Sequence, residues 1–266
     1  MTQDNMLEQV MEIVRRASAL MVTEGFSVEQ KDGLTNIVTS SDLAVQHFLC
    51  RELSALLPGC GFLCEEEDLT DTGKEYVWII DPIDGTANYA RNLPDCCISV
   101  ALKHGSEVIL GVVFSPGRGE MYCAEKGRGA WCNGKPIRTS RRPFADAIML
   151  VALSAYNKNF AHVCSDIILE AYAQGNDVRR FGSAAIELCL VAAGKCDIHF
   201  EIRLQPWDYA AGMLILTEAG GTVSSLDGTS PRLDAPDLVC AGNNMDNQRR
   251  FLHIIRKYLP EIPYQQ

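Results

Sequence analysis

The apolar positions of this chain change period along its length, and the changes mark its elements. Met6, Leu7, Val10, Ile13, Val14, Ala17, Leu20 and Met21 recur at helical spacing. They predict an amphipathic helix capped by Asp4 or Asn5 and ended at Gly25. A polar stretch over 31–42 follows, and Ser41 or Asp42 is expected to cap a second helix over 43–57, stopped by Pro58-Gly59. The run Gly61-Phe62-Leu63-Cys64 reads as a short strand leading into Glu65-Glu66-Glu67-Asp68. The run Val77-Trp78-Ile79-Ile80 reads as a strand leading into Asp81-Pro82-Ile83-Asp84-Gly85-Thr86.

Beyond that point the signal is antiparallel. Apolar runs over 97–102 and 108–114 meet at His104-Gly105, and shorter runs follow over 120–124, 129–132 and 135–137. Asn133-Gly134 supplies a tight turn between the last two. Arg141-Arg142-Pro143 reads as a connection, dividing an N-terminal lobe over 1–143 from a C-terminal lobe over 144–266. The second half alternates between strands and helices. Strands are expected over 148–153, 178–181, 196–201, 221–226 and 238–240, and helices over 160–174, 183–193, 207–219 and 245–258. Such alternation predicts an α/β lobe with helices on the faces of a sheet.

Composition narrows the class. The chain has 266 residues, of which 47% are hydrophobic, enough for a large core. Its net charge of −10 comes without a basic cluster, so nucleic acid is not expected as a structural partner. No apolar run approaches membrane-span length, and the first residues lack the pattern of a signal peptide. The 11 cysteines form no CxxC pair and read as free thiols of a reducing cytosol, so a cytoplasmic location is expected.

The chemistry concentrates in the acids. Asp81 and Asp84 stand three residues apart beside apolar positions, where like charges repel unless a cation intervenes. Oxygen donors suit a hard divalent ion. Gly85 and Thr86 offer a turn and the free N–H groups of a helix start, which suit phosphate. Glu65 and Asp208 stand at a further strand end and helix start. Each has a plain alternative: the acidic run as a solvated loop, Asp-Gly-Thr as a turn with a cap, Asp208 as an acid meeting a helix dipole. Together they favour one site at the edge of an α/β sheet. A calcium loop fails because Ile83 and Gly85 fall where it needs oxygen donors. A P-loop reading of Gly129 to Lys135 fails because Pro136 replaces the magnesium-binding hydroxyl. The five histidines show no zinc spacing and read as surface or core residues.

The segment from Asp81 to Tyr89 resembles the first signature of the inositol monophosphatase family, and Trp207-Asp208-Tyr209-Ala210-Ala211-Gly212 resembles the second. Phe62 to Glu66 and Gly182-Ser183-Ala184-Ala185 match two further family elements. The resemblance implies a layered αβαβα sandwich of the inositol monophosphatase and fructose-1,6-bisphosphatase type. It implies a lithium-sensitive phosphomonoesterase using two to three Mg2+ ions. By the same carry-over, Glu65, Asp81 and the Ile83 carbonyl hold one metal, and Asp81, Asp84 and Asp208 hold a second. A weaker third leans on Glu65. Thr86, supported by Asp42, joins Glu65 in activating the attacking water. Gly85 and Thr86 N–H groups hold phosphate, Glu201 binds substrate hydroxyls, and Ser183 and Ala184 line the same side. Asp84 and Asp208 also face the substrate.

The implied substrate is inositol monophosphate or a similar polyol phosphate, and the implied assembly is a homodimer. Fructose 1,6-bisphosphate, a 3′-phosphoadenosine nucleotide and NADP remain alternative substrates, and a non-catalytic metal-binding protein is the reading from another class. Three positions depart from the family: Cys64 stands in place of Gly, Asn36 in place of Asp, and Tyr89 in place of Phe, while Lys31 is in its expected place.

Overall fold

The computed structural model describes residues 6–22, 25–30, 37–66, 70–153 and 157–259. The expected caps Asp4 and Asn5, the departure Asn36, and Lys31, Glu67 and Asp68 lie outside them.

The elements run α1 (Met6–Ser18), β1 (Val28–Gln30), β2 (Ile37–Thr39), α2 (Ser40–Leu56), β3 (Gly61–Cys64), β4 (Thr70–Asp71), β5 (Tyr76–Asp84) and α3 (Thr86–Tyr89). An antiparallel meander follows: β6 (Cys97–His104), β7 (Glu107–Ser115), β8 (Glu120–Glu125), β9 (Ala130–Cys132) and β10 (Lys135–Ile137). The second half contains β11 (Ile148–Val151), α4 (Ala161–Gln174), β12 (Asp177–Arg179), α5 (Ala184–Ala192) and β13 (Ile198–Leu204). It ends with α6 (Pro206–Glu218), β14 (Thr222–Ser224), β15 (Asp237–Gly242) and α7 (Met245–Tyr258).

Two sheets organise the molecule. The eight-stranded sheet has the order β10-β9-β8-β7-β6-β5-β3-β4, and the five-stranded sheet has the order β12-β11-β13-β15-β14. Strand alternation assigns each face a partner layer. Trp78 and Ile80 of β5 join Val10 and Val14 of α1 and Val45 and Leu49 of α2. Val77 and Ile79, on the opposite face, pack with Ile186, Tyr209 and Ile215 of α5 and α6. The same helices meet Val239 and Ala241 of the second sheet. Ile198, Phe200 and Ile202 of β13 face outward onto Ile167 of α4 and Phe251 and Ile255 of α7. The layers are therefore αβαβα, as the resemblance implied.

Several local expectations need correction. The second helix begins at Ser40, and its N-cap is Thr39, not Ser41 or Asp42. Asp42 is the third helical residue, and its carboxylate accepts from the Thr39 N–H at 2.8 Å. This reciprocal arrangement is a capping box, with an acid in the place where the motif usually has Glu or Gln. The strand expected over 77–80 continues to Asp84, across an irregularity in its pairing with β6 between Asp81 and Asp84. The strand expected over 196–201 instead spans Ile198–Leu204, so Glu201 lies within it and not at its end.

The central helix layer sits very close to the first sheet. A Cβ added to Gly111 of β7 would lie 2.9 Å from the Ala211 carbonyl oxygen of α6. Backbone atoms cannot yield as a flexible side chain can. Gly111→Ala is therefore expected to destabilise the protein by about 1–3 kcal/mol. Urea denaturation should show this as a lower midpoint at an unchanged slope.

Candidate active site

Parallel pairing does the first work of assembly. β3 and β5 run parallel with Cys64 opposite Ile80, so their next residues, Glu65 and Asp81, emerge side by side. The Glu65 N–H donates to the Ile80 carbonyl at 3.2 Å. Gln46 of α2 clamps the next residue, accepting from the Glu66 N–H at 3.0 Å and donating to its carbonyl at 2.7 Å. Asp81 also pairs with Ser99 of β6. The Ser99 hydroxyl donates to the Trp207 carbonyl at 3.2 Å, which brings the first turn of α6, and Asp208 with it, to the same place.

Past Asp84 the chain must turn sharply. Gly85 adopts φ +89°, and a Cβ there would lie 2.9 Å from the Asp95 carbonyl oxygen, so both conformation and space call for glycine. It precedes the single turn of α3. The Thr86 hydroxyl donates to the Ile83 carbonyl at 3.0 Å and lies 3.4 Å from Asp42 Oδ1. The hydroxyl of Tyr89, the departure from Phe, has its own task. It donates to the Val22 carbonyl at 2.6 Å and lies 2.8 Å from Ser41 Oγ, pinning α3 to the start of α2.

These elements surround a cavity of about 300 Å³. Glu65, Asp84, Gly85 and Thr86 line one side, and Ser183, Ala184, Glu201 and Asp208 line the other. Asp42, Asp81 and Ile83 are buried behind this lining. Every site residue expected from the sequence thus lies in the cavity wall or directly beneath it. Ser183 has a role the sequence did not suggest. It caps α5, and its hydroxyl donates to Asp84 Oδ2 at 2.7 Å. The Ala185 N–H donates to the same oxygen, also at 2.7 Å.

The electrostatics follow from burial. Asp81 is held well above the usual carboxylate range by desolvation and then by the charges of Glu65, Asp84 and Asp208. Asp208 is raised by burial and by Asp84 and Glu65, although the Gln205 N–H donates to it at 2.7 Å. Burial pushes Asp84 up to about 6 against the opposing bonds from Ser183 and Ala185. Burial pushes Glu201 up to about 7, with His199 pulling the other way.

The charged groups acting most strongly on Asp81 and Asp208 are all acidic. Among the described residues, no three acidic, histidine or cysteine side chains close into a ready-made metal cage. The donor set nevertheless fits a hard divalent cation, because it is all oxygen and crowds carboxylates that raise one another.

Sequence reasoning missed three neighbours. The Asn88 side-chain amide donates at 2.7 Å to both the Asp95 and Phe181 carbonyls, joining the α3 turn to the loop before α5. Glu187, in the cavity wall, accepts from the Phe181 and Gly182 N–H groups at 2.7 and 3.1 Å. Its other oxygen lies 3.0 Å from Nδ1 of the fully buried His199. Glu187 looks like an ordinary first-turn acid in the sequence, and His199 like any core histidine, so only the packing joins them.

Comparison with known proteins matches this architecture. The model of the inositol monophosphatase family aligns with residues 2–259. The inositol-1-monophosphatase of Mesorhizobium japonicum is 35% identical over 233 residues, covering 85% of each chain. The Nus factor SuhB of Escherichia coli K12 is 36% identical over 198 residues, covering 74% of each. Among solved structures, the Thermotoga maritima IMPase superposes with a TM-score of 0.87 at 29% identity, covering 96% of this chain and 98% of that one. Sequence and fold agree over nearly the full length, and the chain belongs to the inositol monophosphatase family.

Proposed function

We propose that this protein is a magnesium-dependent phosphatase that hydrolyses inositol monophosphate or a closely related polyol phosphate. The observation that carries the reading is the convergence of Glu65, Asp84 and Asp208 on one cavity beside Thr86, with Asp81 directly beneath them, and with Asp81, Asp84 and Asp208 raised by burial and by neighbouring carboxylates. In this reading Glu65, Asp81, Asp84, Asp208 and the Ile83 carbonyl hold the cations. When bound, divalent ions supply the positive charge that a phosphoryl group needs and acidify water.

The chain's own groups do the positioning. Thr86 spends its proton on the Ile83 carbonyl, so its oxygen keeps an acceptor face for the proton of an attacking water. Asp42, fixed by the α2 cap, lies behind it, and Glu65 faces the same water from just past the end of β3. Backbone N–H groups of Gly85 and Thr86 receive phosphate oxygens. In-line attack then breaks the phosphorus–oxygen bond and releases inorganic phosphate and the alcohol. No protein nucleophile is required.

Glu201 faces the alcohol. With its carboxyl pushed up to about 7, it can donate to or accept from a substrate hydroxyl near neutral pH. Ser183 and Ala184 complete that side. A cavity of about 300 Å³ lies at the small end of ligand sites, which favours a polyol phosphate over a dinucleotide such as NADP. A second reading, action as a Nus factor like the SuhB relatives, rests on sequence identity and not on the cavity.

Phosphate release from inositol 1-phosphate should require Mg2+ and should exceed release from fructose 1,6-bisphosphate, a 3′-phosphoadenosine nucleotide and NADP. No magnesium-dependent turnover on any monoester would reject the phosphatase reading. Asp84→Asn should lower turnover on the order of 100-fold or more, while circular dichroism stays unchanged, because the amide oxygen can still accept from Ser183 and Ala185.

The raised carboxyls also predict a pH dependence of stability. Between about pH 4 and the folded values of about 6 for Asp84 and about 7 for Glu201, the native protein binds more protons than the unfolded chain. Stability must therefore fall as pH rises through this window. In a chelator, Tm is expected to drop by roughly 5 °C or more between pH 5 and 7.5. Added Mg2+ should raise Tm more at pH 7.5 than at pH 5. A Tm in chelator that is flat or rising across this range would show that the carboxyls are not raised.

A further inference from the structure

Glu187 and His199 are buried to 2% and 0% exposure beside the cavity, and the proposed chemistry uses neither. Both oxygens of Glu187 are engaged. Oε1 gathers the N–H groups of Phe181 and Gly182, and Oε2 meets His199 Nδ1. The loop so gathered is held from its other side by Asn88, which donates to the Phe181 carbonyl. His199 lies on β13 two residues before Glu201. Since Ile198, Phe200 and Ile202 face outward, His199 and Glu201 both face the central helix layer. One hydrogen-bonded contact thus links α5 and the loop before it to the strand that carries Glu201.

We infer that Glu187 and His199 form a positioning couple that fixes the loop over 181–183 against Glu201, and so sets the fit of the substrate's polyhydroxylated alcohol. The inference rests on the phosphatase reading above and deepens it. A buried charge deprived of its partner is costly, so the two side chains hold their elements at one spacing. At the phosphate end Asp208 is held by the Gln205 N–H and Thr86 by the Ile83 carbonyl, both independent of the couple, whereas Asp84 also leans on Ser183 and the Ala185 N–H at the start of α5. Loosening the couple should disturb recognition of the alcohol more than the hydrolytic step, which it reaches only through the Ser183–Asp84 bond.

The test compares inositol 1-phosphate with p-nitrophenyl phosphate, whose alcohol has no hydroxyl groups to recognise, in Mg2+. His199→Phe should raise KM for inositol 1-phosphate roughly tenfold, the effect of one lost bond to a charged group. Any fall in kcat should be the same for both esters and smaller than that change, and the KM for p-nitrophenyl phosphate, which has no hydroxyl groups to lose, should stay nearly unchanged. His199→Asn, which keeps a donor near Nδ1, should recover most of the loss. If His199→Phe does not fold, His199→Leu, a smaller apolar replacement that also removes the contact, carries the same test. Equal rises in KM on both esters, no change on either, or no rescue by asparagine would overturn the couple alone. Failure of the unaltered enzyme to hydrolyse either ester would instead overturn the phosphatase reading and this inference with it.

Discussion

Burying several carboxylates around one small cavity is the constraint on which the rest of the structure depends. Desolvation disfavours each charge, and each charge raises its neighbours further. Asp81, at 1% exposure, is raised by burial and by Glu65, Asp84 and Asp208, and Asp208 is raised in the same way. The fold relieves the problem only in part. Asp84 receives two hydrogen bonds from the start of α5, and Asp208 receives one from the Gln205 N–H. A divalent cation would offset the remaining repulsion among these carboxylates, so the same tension that disfavours their charges suits the site to metal.

The layers explain why these acids meet at all. β3 and β5 run parallel, and that choice sets Glu65 beside Asp81. Packing of α6 across the first sheet, close enough to demand Gly111, delivers Asp208 from more than a hundred residues away in sequence. The helices α5 and α6 lie between the two sheets, so the cavity takes Glu65 and Asp84 from the first sheet, Glu187 and Asp208 from the helices, and Glu201 from the second sheet. The polar wall is thus built where three layers end together.

Much of this was legible in the chain. The acids at Asp81, Asp84 and Asp208 stood out because carboxylates beside apolar strands and helix starts need a reason to be there. Helix α7 was readable end to end, from Met245 to Tyr258, because its periodicity is clean. The failures have physical causes. Thr39 and Asp42 form a reciprocal cap, and with Ser40, Ser41 and Asp42 all able to cap in sequence, the start expected from Ser41 or Asp42 falls too late. β13 extends to Leu204 because Glu201 is tolerated inside a strand that faces a polar cavity, which no local pattern reveals. The Glu187–His199 contact spans two elements with individually ordinary sequences, so its meaning arises only from their packing.

Proton release on metal binding tests the central claim most directly. Mg2+ would be titrated into the protein by calorimetry, in buffers of differing ionisation enthalpy, at pH 6 and at pH 8. Carboxyls held at about 6 and above must lose protons as the cation enters, so about one proton or more should leave per active site at pH 6, and fewer at pH 8. Binding without proton release at pH 6, or no binding at either pH, would contradict the account.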